Sequence, residues 1–319
     1  MNYRPTSLRK LALAGCIFSL LLVSCQCHRD FCGSGRYRCS HFFDTSPNIH
    51  PIKYEGLNEA ILFENGDLVR YDEDFRSQVK YSLSTICEVD SVRDVKFYNS
   101  LLTVINYSGQ APPHATPPSP EEYFNVVIAP DRYFKLDTGF RVIGEFGNQG
   151  SPGQVLVNAT SAAFDMQGNC YIADPGDSSL KIYDPNGRYL RRLENLGRPI
   201  HVKLFDDVIF VLDHRWGRVC RFSMAGDFLG ELPGLWGFQD VIAFGFTYKD
   251  VIWVVDHGGT RIGEVEFSGD VQEIKTDYCH NDVGYSFQRV TDFDGIFNTF
   301  TIVDADANRV IAFSTGPTD

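Results

Sequence analysis

Two Asp-His dipeptides occupy matching positions in the second half of the chain. Asp213-His214 and Asp256-His257 each follow a run of hydrophobic residues, and a third histidine, His201, precedes the first of these runs. Three imidazoles that converge could bind one metal ion and leave a coordination position open for water. The three histidines are therefore candidate ligands for a metal, zinc or calcium. Such a site would support a metal-dependent lyase or hydrolase.

The same region holds residues suited to ligand contact without catalysis. Arg198, Trp216 and Trp236 fall in loop-like stretches, where basic and aromatic side chains can form a binding surface. The predicted ligand-binding residues are Arg198, His201, Asp213, His214, Trp216, Trp236, Asp256 and His257. No residue is assigned a catalytic role, because the sequence has neither a Gly-x-Ser-x-Gly elbow nor a Walker loop. A non-enzymatic protein that binds a peptide, protein or small ligand is the favoured interpretation. The metal-dependent enzyme and ordinary loop histidines are the alternatives.

A hydrophobic strand that ends in an acid or amide recurs along the chain. The polar residues that end these runs are Asn65, Asn106, Asp174, Asp213, Asp256 and Asp304. Asp and Asn favour turns because their side chains can hydrogen-bond to backbone two residues further on. Turn formation is therefore the expected role of each of these residues.

A second corner, in which an aromatic-ended strand meets a turn, recurs in step with the first. Its turn positions are 74, 139, 187, 226, 269 and 316, spaced by 65, 48, 39, 43 and 47 residues. A period of 40 to 50 residues with several short strands in each unit is typical of a β-propeller. The first interval is longer because residues 109–120 form a Pro-rich insertion, which cannot be a central strand.

The clearest repeat lies at residues 168–187, where Gly-Asn-x-Tyr-Ile-Ala-Asp is followed by Leu-Lys-Ile-Tyr-Asp-Pro-Asn-Gly. This pattern resembles the NHL repeat. The Gly-rich stretch at 144–153 resembles the links between blades in bacterial six-bladed β-propeller lipoproteins. The resemblance implies an all-β, six-bladed propeller with four-stranded antiparallel blades over residues 51–319. NHL relatives also include an amidating lyase whose zinc is held by histidines from separate blades, a precedent for the metal alternative.

Two details of the ring follow from counting strands. The last repeat leaves no room for a fourth strand, so an N-terminal strand is predicted to complete the last blade and close the ring. The candidate is the orphan strand 51–55, Pro-Ile-Lys-Tyr-Glu. Closure would hide two strand edges that otherwise promote aggregation. In blade two the second strand is either 101–105 or 125–129.

The N-terminus has the form of an export signal. Residues 1–10 are basic and an apolar stretch ends at Leu22-Val23-Ser24-Cys25. This resembles a bacterial lipobox. The resemblance implies a signal peptide over 1–24, lipidation of Cys25 and a cell-envelope protein at the outer membrane. Cys16 also fits the letter pattern but leaves too short an apolar region before it. Residues 25–50 are predicted to be a flexible tether.

The remaining cysteines and the net charge limit the partners. The predicted tether contains Cys27, Cys32 and Cys39. Export would permit a disulfide among them, and free thiols are the main alternative. Their spacing matches no zinc module. The chain has a net charge of −12, and a chain beginning at Cys25 would have −15 because three basic residues precede it. An acidic protein repels phosphate backbones, so no nucleic-acid partner is expected. The membrane, reached through the lipid anchor, is the one predicted partner of known kind.

Overall fold

The computed structural model describes residues 37–44, 51–55, 60–71, 78–99, 123–247, 251–280, 283–296 and 299–315. Within these ranges the strands form six four-stranded antiparallel sheets, arranged as the blades of a β-propeller. This confirms the predicted fold class.

Each blade has its strands in order from the innermost to the outermost. Blade one contains β2 (Pro51–Glu55), β3 (Ala60–Phe63), β4 (Asp67–Tyr71) and β5 (Gln78–Ser82). Blade two contains β6 (Asp94–Asn99), β7 (Tyr123–Ala129), β8 (Arg132–Leu136) and β9 (Val142–Phe146). Blade three contains β10 (Ser161–Phe164), β11 (Cys170–Asp174), β12 (Ser179–Tyr183) and β13 (Tyr189–Leu193). Blade four contains β14 (Pro199–Phe205), β15 (Val208–Asp213), β16 (Arg218–Ser223) and β17 (Phe228–Glu231). Blade five contains β18 (Ala243–Thr247), β19 (Val251–Asp256), β20 (Arg261–Glu266) and β21 (Val271–Lys275). Blade six contains β24 (Val290–Ile296), β25 (Thr299–Asp304), β26 (Arg309–Thr315) and β1 (Tyr37–Asp44).

The other described elements are short. A hairpin of β22 (Asp277–His280) and β23 (Val283–Ser286) precedes blade six, and one helical turn, α1 (Leu83–Ile86), follows blade one. Further 3₁₀ turns cover His214–Trp216, Leu235–Gly237 and His257–Gly259. None of the helices in the described ranges has the length and apolar character needed to cross a membrane.

Burial along the strands explains why the middle strands are continuous apolar runs. Strands β11, β12 and β19 are buried at every position, because both faces of a blade pack against neighbouring blades. The outermost strands β9 and β17 are mostly exposed. Trp253 in β19 is fully buried and packs against Phe300 of blade six with ring centroids 4.7 Å apart.

The apolar core consists of clusters that lie between neighbouring blades. Among the described residues there are six such clusters, one for each pair of adjacent blades. The cluster between the last and first blades joins Val303 and Val310 to Tyr54, Ile61 and Phe63. The ring is therefore closed by packing as well as by hydrogen bonds.

The closing strand differs from the one that the sequence suggested. An N-terminal strand does complete the last blade, but it is β1, which pairs with β26 from Tyr37 opposite Thr315 to Asp44 opposite Arg309. Pro51–Glu55, the predicted closing strand, is the innermost strand of blade one. The tether predicted over 25–50 is thus wrong for residues 37–44, and the propeller begins before residue 51. A register shift between Cys39 and His41 interrupts the strand and breaks the two-residue alternation by which strands are recognised.

The second strand of blade two is the second of the two predicted alternatives. Strand β7 contains residues 125–129 and pairs with β6 along its length, from Asp94 opposite Ile128 to Asn99 opposite Tyr123. The insertion therefore lies between the first and second strands of this blade. Residues 101–105 lie outside the described residues, as do Cys27 and Cys32.

The turn that ends the clearest repeat has the chemistry expected of it. The Asp184 carboxylate accepts hydrogen bonds from the backbone N–H groups of Asn186 (2.9 Å) and Arg188 (2.8 Å). Gly187 has a φ of +78°, which glycine adopts without strain. This local self-capping fixes the register between the third and fourth strands of blade three.

Candidate functional site

Four of the six second strands end in an aspartate that is fully buried. These residues are Asp174, Asp213, Asp256 and Asp304. Strand pairing places Phe63 and Ala129 at the equivalent positions of blades one and two. The repeat of acids is therefore a property of blades three to six.

Each of these aspartates binds the link that precedes the first strand of its own blade. Asp213 accepts hydrogen bonds from the backbone N–H groups of Gly197 and Arg198, both at 2.8 Å. Asp256 accepts from Gln239 at 3.0 Å and Asp240 at 2.7 Å. The sequence predicted that these carboxylates would hydrogen-bond within their own turns. They instead bind backbone about sixteen residues earlier in the chain.

The equivalent pairs in blades three and six have the same geometry. Asp174 accepts from Val157 (3.0 Å) and Asn158 (2.8 Å), and Asp304 accepts from Gln288 (3.0 Å) and Arg289 (2.9 Å). Backbone hydrogen bonds also join the links to the turns, as from the His214 N–H to the Arg198 carbonyl (3.0 Å). Links and turns therefore share one side of the ring. We call this side the turn face: the turns between second and third strands, with the links that bind them.

In three of these blades a cation on the third strand pairs with the buried aspartate. The Lys181 Nζ lies 2.7 Å from Asp174 and 2.9 Å from Asp177, and the Lys181 side chain is fully buried. Arg218 lies 3.5 Å from Asp213, and the Arg261 Nε donates to Asp256 at 2.7 Å. Asp213 and Asp256, both predicted ligand contacts, therefore lie at the base of the turn face and hold its backbone.

Trp216 is an exposed residue among the predicted ligand contacts whose side chains are described. It lies in the 3₁₀ turn after Asp213 and is 52% exposed. The turn ends at Gly217, whose φ of +59° is in the left-handed region. The Arg218 guanidinium lies 4.3 Å from the centre of the indole ring, a cation–π distance, and also pairs with Asp213 and Glu231. The indole is thus presented outward on a fixed base.

Two other predicted residues on the turn face, Arg198 and His214, have described side chains. Arg198 is exposed on the link, and its carbonyl accepts from the His214 N–H in the turn that contains Trp216. His214 is half-buried, and its Nδ1 lies 3.3 Å from the Val241 carbonyl oxygen and 3.7 Å from Asp240. Trp236 and His257 lie in 3₁₀ turns, and their side chains lie outside the part of the molecule that the structure describes.

His201 lies apart from the exposed residues, in the innermost strand of blade four. It is buried, its Nδ1 faces the backbone N–H of Phe244 at 3.5 Å, and its ring packs edge-on against Phe244. Burial holds the pKa of His201 well below its usual value, and the charges of Lys53, Lys203 and Lys96 lower it further. The imidazole is therefore neutral near pH 7.

The described side chains do not form a ready-made metal site. No group of three or more His, Cys, Asp or Glu in that set is arranged to hold an ion. His201 and His214 belong to that set, whereas the His257 side chain does not.

Sequence reasoning missed the lysines and aspartates of the innermost strands. Lys53, Lys96, Lys203, Asp94 and Asp292 lie around the central channel beside His201. A signal exists in the sequence: Asp-Val-Lys-Phe at 94–97 and His-Val-Lys-Leu at 201–204 occupy equivalent stretches of two first strands. The two recurring corners that define the repeat do not include the first strand, so they do not reveal this signal.

Comparison with known proteins supports the fold and goes no further. No protein-family model and no curated protein matches the sequence. Among solved structures, a selenomethionine-substituted virginiamycin B lyase from Staphylococcus aureus is similar over 87% of this chain and 99% of its own, with 12% identity and a TM-score of 0.55. A catalytically inactive variant of that lyase with quinupristin gives 87% and 99% coverage, 11% identity and a TM-score of 0.57. A streptogramin B lyase gives 88% and 98%, 10% identity and 0.54. At such identities the similarity establishes a shared six-bladed architecture.

Proposed function

We propose that this protein is a ligand-binding propeller, not an enzyme, and that its peptide, protein or small-molecule ligand contacts the turn face around Trp216. The observation that carries the proposal is the Trp216 side chain, 52% exposed and stacked on Arg218. Exposed indole rings supply a large contact area with little loss of side-chain entropy, and Trp and Arg are enriched among residues that dominate binding energy.

The support beneath Trp216 favours binding by a preformed surface. Asp213 is fully buried and holds the adjoining link through two N–H groups, while Arg218 holds both Asp213 and Glu231. A surface that is already ordered loses less conformational entropy when a ligand binds, so more of the contact energy appears as affinity. The exposed Arg198 extends this surface along the link.

Site-specific photo-cross-linking tests the contact face. A photo-reactive phenylalanine analogue is placed at position 216 and, as a matched control, at Phe228, which is 56% exposed on the outermost strand of the same blade. We expect a discrete adduct from position 216 in cells that make the protein, and none of that mass from position 228. The adduct is identified by mass spectrometry, and equal labelling from both positions would refute a binding surface on the turn face.

We further propose that the protein is exported and lipid-anchored through Cys25, at the outer membrane of the cell envelope. The support is the lipobox-like sequence Leu22-Val23-Ser24-Cys25. Acyl chains on Cys25 would hold the protein at the membrane, because each buried CH₂ group contributes about 0.8 kcal/mol. Metabolic labelling with an alkyne fatty acid should label the wild type and the Cys16→Ser variant, but not Cys25→Ser. Label that persists in Cys25→Ser would contradict the anchor.

The alternative is a metal-dependent lyase or hydrolase that uses His201, His214 and His257. The streptogramin lyases share the six-bladed architecture, but their identity of 10–12% carries no residue roles over to this chain. In the described residues the His201 Nδ1 faces an N–H group and the His214 Nδ1 faces a carbonyl oxygen, which gives each ring a structural contact. Elemental analysis after dialysis against zinc and calcium separates the candidates, since stoichiometric metal lost in His201→Ala would favour the enzyme.

A further inference from the structure

The innermost strands present one residue each at the same level of the central channel. Each of these residues pairs with the residue just before the end of its second strand, as His201 pairs with Leu212. The equivalent residues in blades one to six are Lys53, Asp94, Ser161, His201, Ala243 and Asp292. We call these six residues the channel ring.

Part of the channel ring joins neighbouring blades. Asp94 accepts a hydrogen bond from the Ala162 N–H (3.0 Å), and Asp292 accepts one from the Tyr54 N–H (3.1 Å). Ser161 and His201 accept from the Val202 and Phe244 N–H groups in the same manner, at 3.4 and 3.5 Å. Each of these four side chains therefore accepts a backbone hydrogen bond that joins its blade to the next one.

The contact with Phe244 assigns the proton of His201. Its ring is neutral, and the Nδ1 accepts from an N–H group, so the proton lies on Nε2. The Nε2 atom is buried and has no hydrogen-bond partner among the described residues. His201 thus offers a donor inside the channel, and an unsatisfied buried donor costs about 1–3 kcal/mol.

Two ring-side lysines have weakly engaged ammonium groups. The Lys53 Nζ lies 3.8 Å from Asp94 and 3.7 Å from Asp292. The Lys203 Nζ reaches across the channel to blade six, where it donates to the Phe293 carbonyl at 3.3 Å and lies 3.5 Å from Asp294. Strong ammonium–carboxylate hydrogen bonds are about 2.7–2.9 Å long. The two lysine side chains are 14% and 17% exposed, so they border space that solvent can enter.

The ring also contains an acceptor. The Asp292 Oδ1 is buried without a hydrogen-bond partner among the described residues, although its Oδ2 accepts from Tyr54. Burial acts to raise the pKa of Asp292, but the charges of Lys53, Lys96 and Lys203 together with the Tyr54 N–H hold it below its usual value. Asp292 is therefore ionised, and a ligand in this space would need a donor group as well as an anionic oxygen.

We propose that the channel ring, together with the neighbouring Lys203, binds a small oxyanion that also bears a hydroxyl group, such as hydrogen phosphate or a hydroxycarboxylate. Lys53, Lys203 and the His201 Nε2–H bind the oxyanion, and the Asp292 Oδ1 accepts the hydroxyl proton. The site lies inside the channel and is independent of the turn face around Trp216.

Binding is measured by calorimetry and by thermal melting near neutral pH, with inorganic phosphate and glycolate as probes at constant ionic strength. Both should bind saturably and raise the melting temperature, and acetate should bind more weakly because it leaves Asp292 without its donor. The imidazole ¹⁵N–¹H correlation assigned to His201 should shift on addition of phosphate.

Variants separate anion binding from the structural contact with Phe244. In His201→Asn the amide oxygen can take the place of Nδ1, whereas the Nε2–H is lost; His201→Gln retains a donor near Nε2. His201→Asn and Lys203→Met should each weaken binding by about tenfold or more, which is the value of one charge-assisted hydrogen bond. His201→Gln should bind more tightly than His201→Asn. Lys80→Met, at an exposed lysine of blade one, should bind like the wild type.

Two results would overturn the site. The first is the absence of saturable phosphate or glycolate binding by the wild type at tens of millimolar. The second is equal binding by the wild type and Lys203→Met, which would place the anion elsewhere. If His201→Asn does not fold, Lys53→Met and Lys203→Met together with the His201 imidazole signal decide the question.

Discussion

Replacement of Lys181 by Met should destabilise the propeller strongly. The Lys181 ammonium is fully buried and pairs with Asp174 at 2.7 Å and with Asp177 at 2.9 Å, and it also donates to the Val155 carbonyl. The change leaves the Asp174 carboxylate buried with two N–H partners but no cation. Removal of one member of a buried ion pair costs about 3–5 kcal/mol. For a domain of this size that corresponds to a fall in melting temperature of roughly 6–20 °C.

The assay is urea unfolding and thermal melting followed by circular dichroism, with a matched control and a double-mutant cycle. Lys80→Met removes a lysine that is 58% exposed and paired with Asp67, so its cost should stay below about 1 kcal/mol. Asp174→Asn combined with Lys181→Met should cost less than the two single changes added together, with a coupling energy of about 2 kcal/mol or more. If Lys181→Met costs no more than Lys80→Met, or if the cycle is additive, then the buried ion pair does not anchor the link.

Three further predictions concern closure, thiols and pH. Deletion of residues 1–45 should expose the edge of the last blade and lower the melting temperature with aggregation, whereas deletion of 1–30 should not; equal melting of the two would contradict closure by Tyr37–Asp44. The thiol prediction concerns three buried free cysteines, Cys87, Cys170 and Cys220, which should not react with a thiol reagent before the protein unfolds. Burial raises the pKa of all three thiols, to about 12 for Cys87 and Cys220. Prompt labelling of the folded protein would argue against this packing. The pKa of His201 is lowered in the folded protein, so below about pH 6.5 only the unfolded chain binds a proton at this residue. Between pH 7 and 5 the wild type should therefore lose up to about 2 kcal/mol more stability than His201→Asn. Identical pH dependence of urea unfolding in the two proteins would show that His201 titrates normally.

The repeat spacing predicted the fold because it reports local structure. Turn chemistry such as that of Asp184 depends on residues within a few positions, and the aromatic-ended strands recur with the blade. The same logic failed for Asp174 and Asp213, whose partners lie in the link about sixteen residues earlier. Sequence spacing cannot show a contact that forms only when two strands have paired.

Two other features depended on information that the pattern did not hold. Strand β1 is separated from its partner β26 by nearly the whole chain, and its register shift at Cys39 hides the alternation. The channel ring is visible only when first strands from different blades are superposed, because its members differ in type, from Lys53 to Asp292. The loop position of Trp216, by contrast, could be predicted from the sequence, and the structure places it in a turn as an exposed side chain. Its contact with a ligand stays a prediction.

The affinity of the partner that cross-links at position 216 tests the central claim most directly. Calorimetry or surface plasmon resonance would compare the wild type with Trp216→Ala and Phe228→Ala, two exposed aromatic residues of the same blade. Loss of an exposed indole at the centre of an interface costs about 2 kcal/mol or more, so Trp216→Ala should raise the Kd by roughly thirtyfold while Phe228→Ala leaves it unchanged. An unchanged Kd for Trp216→Ala in a protein that melts like the wild type would contradict a binding function of the turn face.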